Sequence, residues 1–254
     1  MIKFFRKIRQ DLLSKGKTGK YFKYAIGEIV LVVIGILIAL YINNIRENLL
    51  QKHYTIGVFE QIRKDLVNDT LQLSIDFKKI KHTNELIIDI LENNVPDSFY
   101  SNINVYNYDS EVFMPFRSLA TDFINFQPNN KGYDLLKTLN NKELVNDSLT
   151  NSILSYYSQL NTELPEYNKV TVELSKRNIQ EYKQYVWFEN WAIGKYDYNF
   201  IEYLKDNEDN RKRLAEFYTY NSVNENYWKR LKQSSGNLIN LIDNRIKDPK
   251  RLIK

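Results

Sequence analysis

The sequence predicts a mostly α protein, with one N-terminal transmembrane helix followed by an antiparallel helical-bundle domain. Three observations predict it. Gly (8) and Pro (5) are scarce over 254 residues, while hydrophobic residues make up 43%. Such a chain can bury a core but lacks the frequent turns of a many-stranded sandwich. An oily run lies near the N-terminus. Behind it, apolar residues recur at helical spacing.

The oily run is "KYAIGEIVLVVIGILIALYINN", residues 23–44. As a helix at about 1.5 Å per residue, 24–44 would span a hydrocarbon layer of roughly 30 Å. Ile29 to Ile42 carry no charge, and 11 of those 14 residues are Ile, Val or Leu. Each favours insertion by about 0.3–0.6 kcal/mol, and together they outweigh Glu28, which lies near one end of the span. A cleaved signal peptide would have a shorter leading segment and an A-x-A-like site. The tail of this run, "LIALYINN", offers only Ala39. An uncleaved anchor is expected.

Charge sets the orientation. Residues 1–24 contain eight Lys/Arg and one Asp, whereas the remainder carries 28 basic and 30 acidic groups. The net charge of +5 therefore belongs to the tail. Under the positive-inside rule, residues 1–23 stay in the cytoplasm and 45–254 lie across the membrane. In a double-membrane bacterium this means an inner-membrane anchor and a periplasmic domain. The body lacks the basic face of a nucleic-acid binder. In "MIKFFRKIRQDLL", Met1, Phe4, Phe5, Ile8 and Leu12 share one helical face, which suits a tail lying on anionic lipid or one that only supplies topogenic charge. "GKT" at 16–18 lacks the Gly five residues earlier that a phosphate loop needs.

Glu28, Gly35 and Ala39 fall on one face of the anchor. Small residues four apart allow close helix approach, and an intramembrane carboxyl usually faces protein. This face is the candidate for pairing with a second copy or a partner helix. The alternative is that Glu28 only reaches the headgroups.

Beyond the anchor, residues 45–93 lack Pro, and Phe59, Leu66, Leu73, Ile80 and Ile87 repeat every seven residues. They predict a long amphipathic helix, flanked by Ile62, Phe77, Ile90 and Leu91. Asp69, Asp76 and Thr83 at the complementary positions favour a bundle over a two-stranded coiled coil. Residues 93–115 read as a loop, 116–126 as a short helix before Pro128. Tyr133, Leu136 and Leu139 form one helical face. Asn140-Asn141 can end that helix, and Asp147 or Ser148 can cap the next, bearing Leu149, Ile153, Leu154 and Tyr157. Pro165 suits the first turn of a further helix with Val170, Leu174, Tyr182 and Val186 inside. The last helices are expected at 209–234 and 237–247, broken at "QSSG". Their inward residues would be Leu214, Phe217, Trp228 and Leu231, then Leu238, Ile239, Leu241 and Ile242.

The first 47 residues, "MIKFFRKIRQDLLSKGKTGKYFKYAIGEIVLVVIGILIALYINNIRE", and later "GYDLLKTLNNKELVNDSLTNSILSYY" resemble an uncharacterised membrane-anchored family of Bacteroidota, mostly flavobacteria. Members often have Ser-Gly where this chain has Asn140-Asn141, and both suit the left-handed conformation. The resemblance implies an inner-membrane location and a helical outer domain, and it transfers no catalytic residue.

The sequence contains no cysteine, which excludes disulfides and thiol chemistry. His53 and His82 fit surface positions, no Glu-x-x-His occurs, and no cofactor or metal is implied. The carboxylates read as solvated helix faces. "YVWFENWAIGKYDYNFIEYL", residues 185–204, holds eight aromatics. It reads as a core seam joining two helices, as an exposed stacking surface formed by Trp187, Phe188, Trp191, Tyr196 and Tyr198, or as a membrane contact. Asp69-Thr70-Leu71 and Asp147-Ser148-Leu149 resemble O-glycosylation acceptors, and the second also has a capping explanation. The expected function is a non-catalytic interaction or assembly protein, partnered by membrane lipid and by a protein or second copy. The alternative is a ligand-sensing bundle that signals through a separate membrane partner.

Overall fold

The computed structural model describes residues 18–96, 119–139, 147–193, 195 and 197–248. Among them are six helices and no strand: α1 (Thr18–Leu91), α2 (Lys131–Thr138), α3 (Ser148–Tyr182), α4 (Phe188–Ala192), α5 (Tyr198–Asp206) and α6 (Glu208–Lys247). The chain divides into two compact units, Met1–Ile56 and Gly57–Lys254.

In the first unit, the described part of α1 exposes its apolar side chains all round. Ile29, Leu31, Ile36, Leu37 and Ile42 are each more than half exposed. This helix is long and apolar enough to cross a membrane, with a best-window mean hydropathy of 2.7 and none of that window buried. A helix that is apolar on every side and unburied needs an apolar surrounding.

The second unit rests on three long helices with one periodicity. In α1, Phe59, Ile62, Leu66, Asp69, Leu73, Asp76, Ile80, Ile87 and Ile90 are all buried. In α3 the buried line runs Ile153, Tyr157, Leu160, Leu164, Thr171, Leu174, Asn178 and Tyr182. In α6 it is Asn210, Leu214, Phe217, Asn221, Asn224, Trp228, Leu231, Ser235, Leu238 and Ile242. Steps of three, four and seven predominate, a mean period of about 3.5 that keeps one face against its neighbours over many turns. Contacts set the directions. Arg63 pairs with Asp243, Asn84 donates to Glu225 at 2.9 Å, and Arg211 reaches the carbonyl of Leu91, so the second-unit part of α1 and α6 are antiparallel. Asp147 pairs with Arg245, Tyr167 stacks on Tyr227 at 4.1 Å, and Glu181 pairs with Arg213, so α3 and α6 are antiparallel too.

These stripes correct several expected boundaries. Pro165 lies inside α3 instead of starting a helix. The residue costs a helix interior about 3 kcal/mol. Leu160, Leu164 and Leu174 are buried on either side of it, and each contributes roughly 1.5–3 kcal/mol on burial, so continuity wins. α6 likewise passes unbroken through 233–236, because Ser235 is itself a buried member of its stripe. Leu241, expected inside, is 48% exposed, since the stripe steps from Leu238 to Ile242. Val186 is exposed because α3 stops at Tyr182. No helix forms at 119–130, where a turn leads into chain without regular structure, and α1 joins segments expected as two helices. Asn140-Asn141 lie outside the described residues.

Two residues past the end of α1, Asn93 has a φ of 57°, the left-handed conformation that closes helices. Arg211 caps the end. Its guanidinium donates to the carbonyls of Ile90 and Leu91 and to Asn93 Oδ1, taking up acceptors that the last turn leaves open.

Candidate functional site

Residues 119–132 cross the helices as a strap without regular structure until α2 begins. An irregular segment has no ladder to satisfy its backbone, so its polar groups must find side chains or water. Here both flanking helices supply them. From α3, Asn178 donates to the carbonyl of Ala120 at 2.7 Å, Ser175 to that of Thr121, and Asn168 to that of Phe126 at 3.3 Å. From α1, Asp69 accepts the backbone N–H of Asn129 at 3.2 Å and its side-chain amide at 2.6 Å. Asp65, one turn earlier, accepts the N–H of Gly132 at 2.7 Å.

Asp65 thereby caps α2 from another helix. The local N-cap residue, Asn130, makes no capping hydrogen bond. Open N–H groups and the helix dipole both favour an anion at this end. The contact requires glycine, because a Cβ on Gly132 would sit 2.6 Å from the backbone N of Ile62. Burial pushes the Asp69 carboxyl up to about 6, against the hydrogen bonds from Asn129 that favour its charged form. The expectation of solvated carboxylates is corrected for Asp65, Asp69 and Asp76, all at most 4% exposed. Asp69 and Asp76, seven apart on the apolar stripe, were the available signal, and Asp65 lies one turn before Asp69.

Where the strap passes α1, a cleft opens between residues 122–127 and the turn of Gln72, Asp76 and Lys79. Burial raises the carboxyls of Asp76 and Asp122, and Lys79 opposes the rise at both. Lys79, Asp122, Phe123 and Ile124 also line a smaller, deeper space reaching Thr83, Thr171, Asn221, Asn224 and Trp228. The lining of the outer cleft is mainly polar, with Phe123, Ile124 and Phe126 as its apolar surfaces.

The predicted site residues are distributed as follows. Trp187 and Trp191 are 2% and 8% exposed, which corrects their placement on a surface. Tyr182 lies within 5.8 Å of Trp187, Trp191 and Tyr203, and Phe188 stacks on Trp191. The core-seam reading describes this segment, which folds into the two short helices α4 and α5. Tyr198 is exposed, and Tyr196 lies outside the described residues. Glu28 is half-buried and Gly35 and Ala39 are exposed; a Cβ on Gly35 would meet nothing within 4 Å. His53 and His82 are exposed, and no cluster of three His, Asp or Glu residues gathers among the described residues. Thr70 lies inside α1 and donates to the carbonyl of Leu66, while Asp147 caps α3, accepting from Thr150 at 2.8 Å.

Residues 28–133 match a family of unknown function, DUF6090. The match takes in the apolar run of α1 from Glu28, the α1 stripe and the strap, ending one residue past Gly132. No curated protein and no solved structure matches the chain.

Proposed function

We propose that this protein is a membrane-anchored interaction protein that works by binding rather than catalysis. Residues 24–44 form its anchor, 1–23 stay in the cytoplasm and 45–254 lie across the membrane. The resemblance to a Bacteroidota family supports the inner membrane and periplasm as the two locations. One observation carries the reading: the apolar side chains of residues 29–42 are exposed on every side of α1. They require lipid or a second apolar helix around them. Glu28, Gly35 and Ala39 form the face proposed to meet that helix.

The cysteine-free sequence gives a direct test. Single cysteines replacing Lys15 or Glu60 are probed on intact spheroplasts with a membrane-impermeant maleimide. Labelling of the Glu60 position alone is expected. Labelling of both positions, or release of the protein by carbonate, would overturn the topology. For the pairing face, Glu28→Leu should leave insertion intact and weaken association in mild detergent.

The cleft against the strap favours a second reading, a ligand-binding bundle that acts through a separate membrane partner.

A further inference from the structure

We propose that the cleft between the strap and α1 is a saccharide-binding site. This gives the second reading above a ligand class and rests on it.

The cleft is half open to solvent and has a volume of about 410 Å³, within the range of roughly 300–1,000 Å³ of small-molecule sites. Its deeper extension, about 20 Å³, has room for a single water-sized group. The lining selects the ligand by chemistry. The indole N–H of Trp228, on a side chain 2% exposed, has no hydrogen-bond partner among the described residues. Trp228 borders the deeper space, and its N–H needs an acceptor. An ammonium group cannot accept, whereas a hydroxyl oxygen can. Thr83, Thr171, Asn221 and Asn224 border the same space and can receive the proton that a hydroxyl donates.

The outer cleft continues the pattern. Asp76 and Asp122 accept, Lys79 donates, and Gln127 does both. Lys79 beside the two carboxylates disfavours a cation, and the carboxylates disfavour an anion. A neutral ligand with alternating donors and acceptors satisfies both constraints. Phe123 at the rim is 41% exposed and borders both spaces, offering a ring face to the C–H surface of a sugar.

The test uses full-length protein in octaethylene glycol monododecyl ether, because a maltoside detergent would itself compete. Glucose, N-acetylglucosamine, cellobiose and chitobiose are titrated by calorimetry and by saturation-transfer NMR, with spermidine as the cationic comparison. Saturable binding of at least one saccharide is expected. Phe123→Ala and Asp122→Asn should each weaken it about tenfold, while Phe123→Tyr keeps it and melting temperatures stay level. Trp228→Phe should weaken it too, but removes the N–H together with the five-membered ring of a buried side chain. Its melting temperature is therefore measured beside its binding, and the Phe123 and Asp122 variants decide the outcome if packing is lost. Saccharide binding that ignores all these variants would place the ligand elsewhere and overturn the proposal. Binding of spermidine alone would overturn the saccharide class and leave the ligand-binding reading standing. Binding of none of these compounds would overturn both.

Discussion

Asp69 on α1 holds Asn129 of the strap by both its backbone N–H and its side-chain amide, across sixty residues of sequence. The carboxyl doing this is 1% exposed and titrates near 6. In the unfolded chain it would titrate near 3.8. Between those values the folded state binds a proton that the unfolded state has lost. Taken alone, Asp69 therefore makes the fold most stable below about pH 4. It withdraws stability on the order of 3 kcal/mol as pH rises through 6 and adds no further slope above. Thermal melts of wild type and Asp69→Asn from pH 4 to 7 should diverge: the wild type gains on acidification relative to the variant. Parallel profiles would contradict the assignment.

Gly132→Ala should be among the most damaging single-methyl additions in the protein. The new Cβ would meet the backbone N and Cα of Ile62 at 2.6 and 2.7 Å, and helix backbone cannot swing aside as a side chain can. A loss of about 3 kcal/mol is expected, visible as a lowered midpoint in denaturant followed by tryptophan fluorescence. Gly57→Ala, with open space around its position, serves as the control and should be neutral or mildly stabilising.

Pro165→Ala should raise stability by about 1–3 kcal/mol, since it restores a helix hydrogen bond within α3. A helix that began at Pro165 would gain nothing from the change. A melting temperature unmoved by the substitution would therefore restore the boundary that the sequence suggests.

Arg211→Ala strips donors from the carbonyls of Ile90 and Leu91 and should cost about 1.5–3 kcal/mol. Arg211→Lys should recover only part, because an ammonium lacks the planar fork. Hydrogen exchange at the amides of Leu86 to Leu91 is the sensitive readout, and the fraying should be confined to that end of α1.

The sequence made the apolar half of each stripe legible. Phe59, Leu66, Leu73, Ile80 and Ile87 stand seven apart, and all are buried. The polar half was misleading, because an aspartate or asparagine at a core position looks like a solvent position until its partner is known. Asp69 is buried only because Asn129 comes to it, and nothing local to residues 65–76 reports that. The same blindness broke α6 at Ser235 and hid the packing that carries α3 through Pro165. Asp147 was legible as a cap because capping is a local event, settled within three residues. The cleft was not legible, since it exists only where the strap meets a helix some fifty residues earlier.

The pairing of Arg63 with Asp243 spans 180 residues, and α1 packs against the last helix of the chain. Ribosomes deliver the two ends many seconds apart, at about 5–20 residues per second. Throughout that interval the stripe from Phe59 to Ile90 has been made but lacks α6 to cover it. Folding must wait for the C-terminus, and long-range closure of this kind is slow and exposed to misassembly. A newly made chain should therefore depend on a holding chaperone between synthesis and closure. A stop codon anywhere before Glu208 should leave a protein that is cleared by proteolysis rather than a smaller working domain.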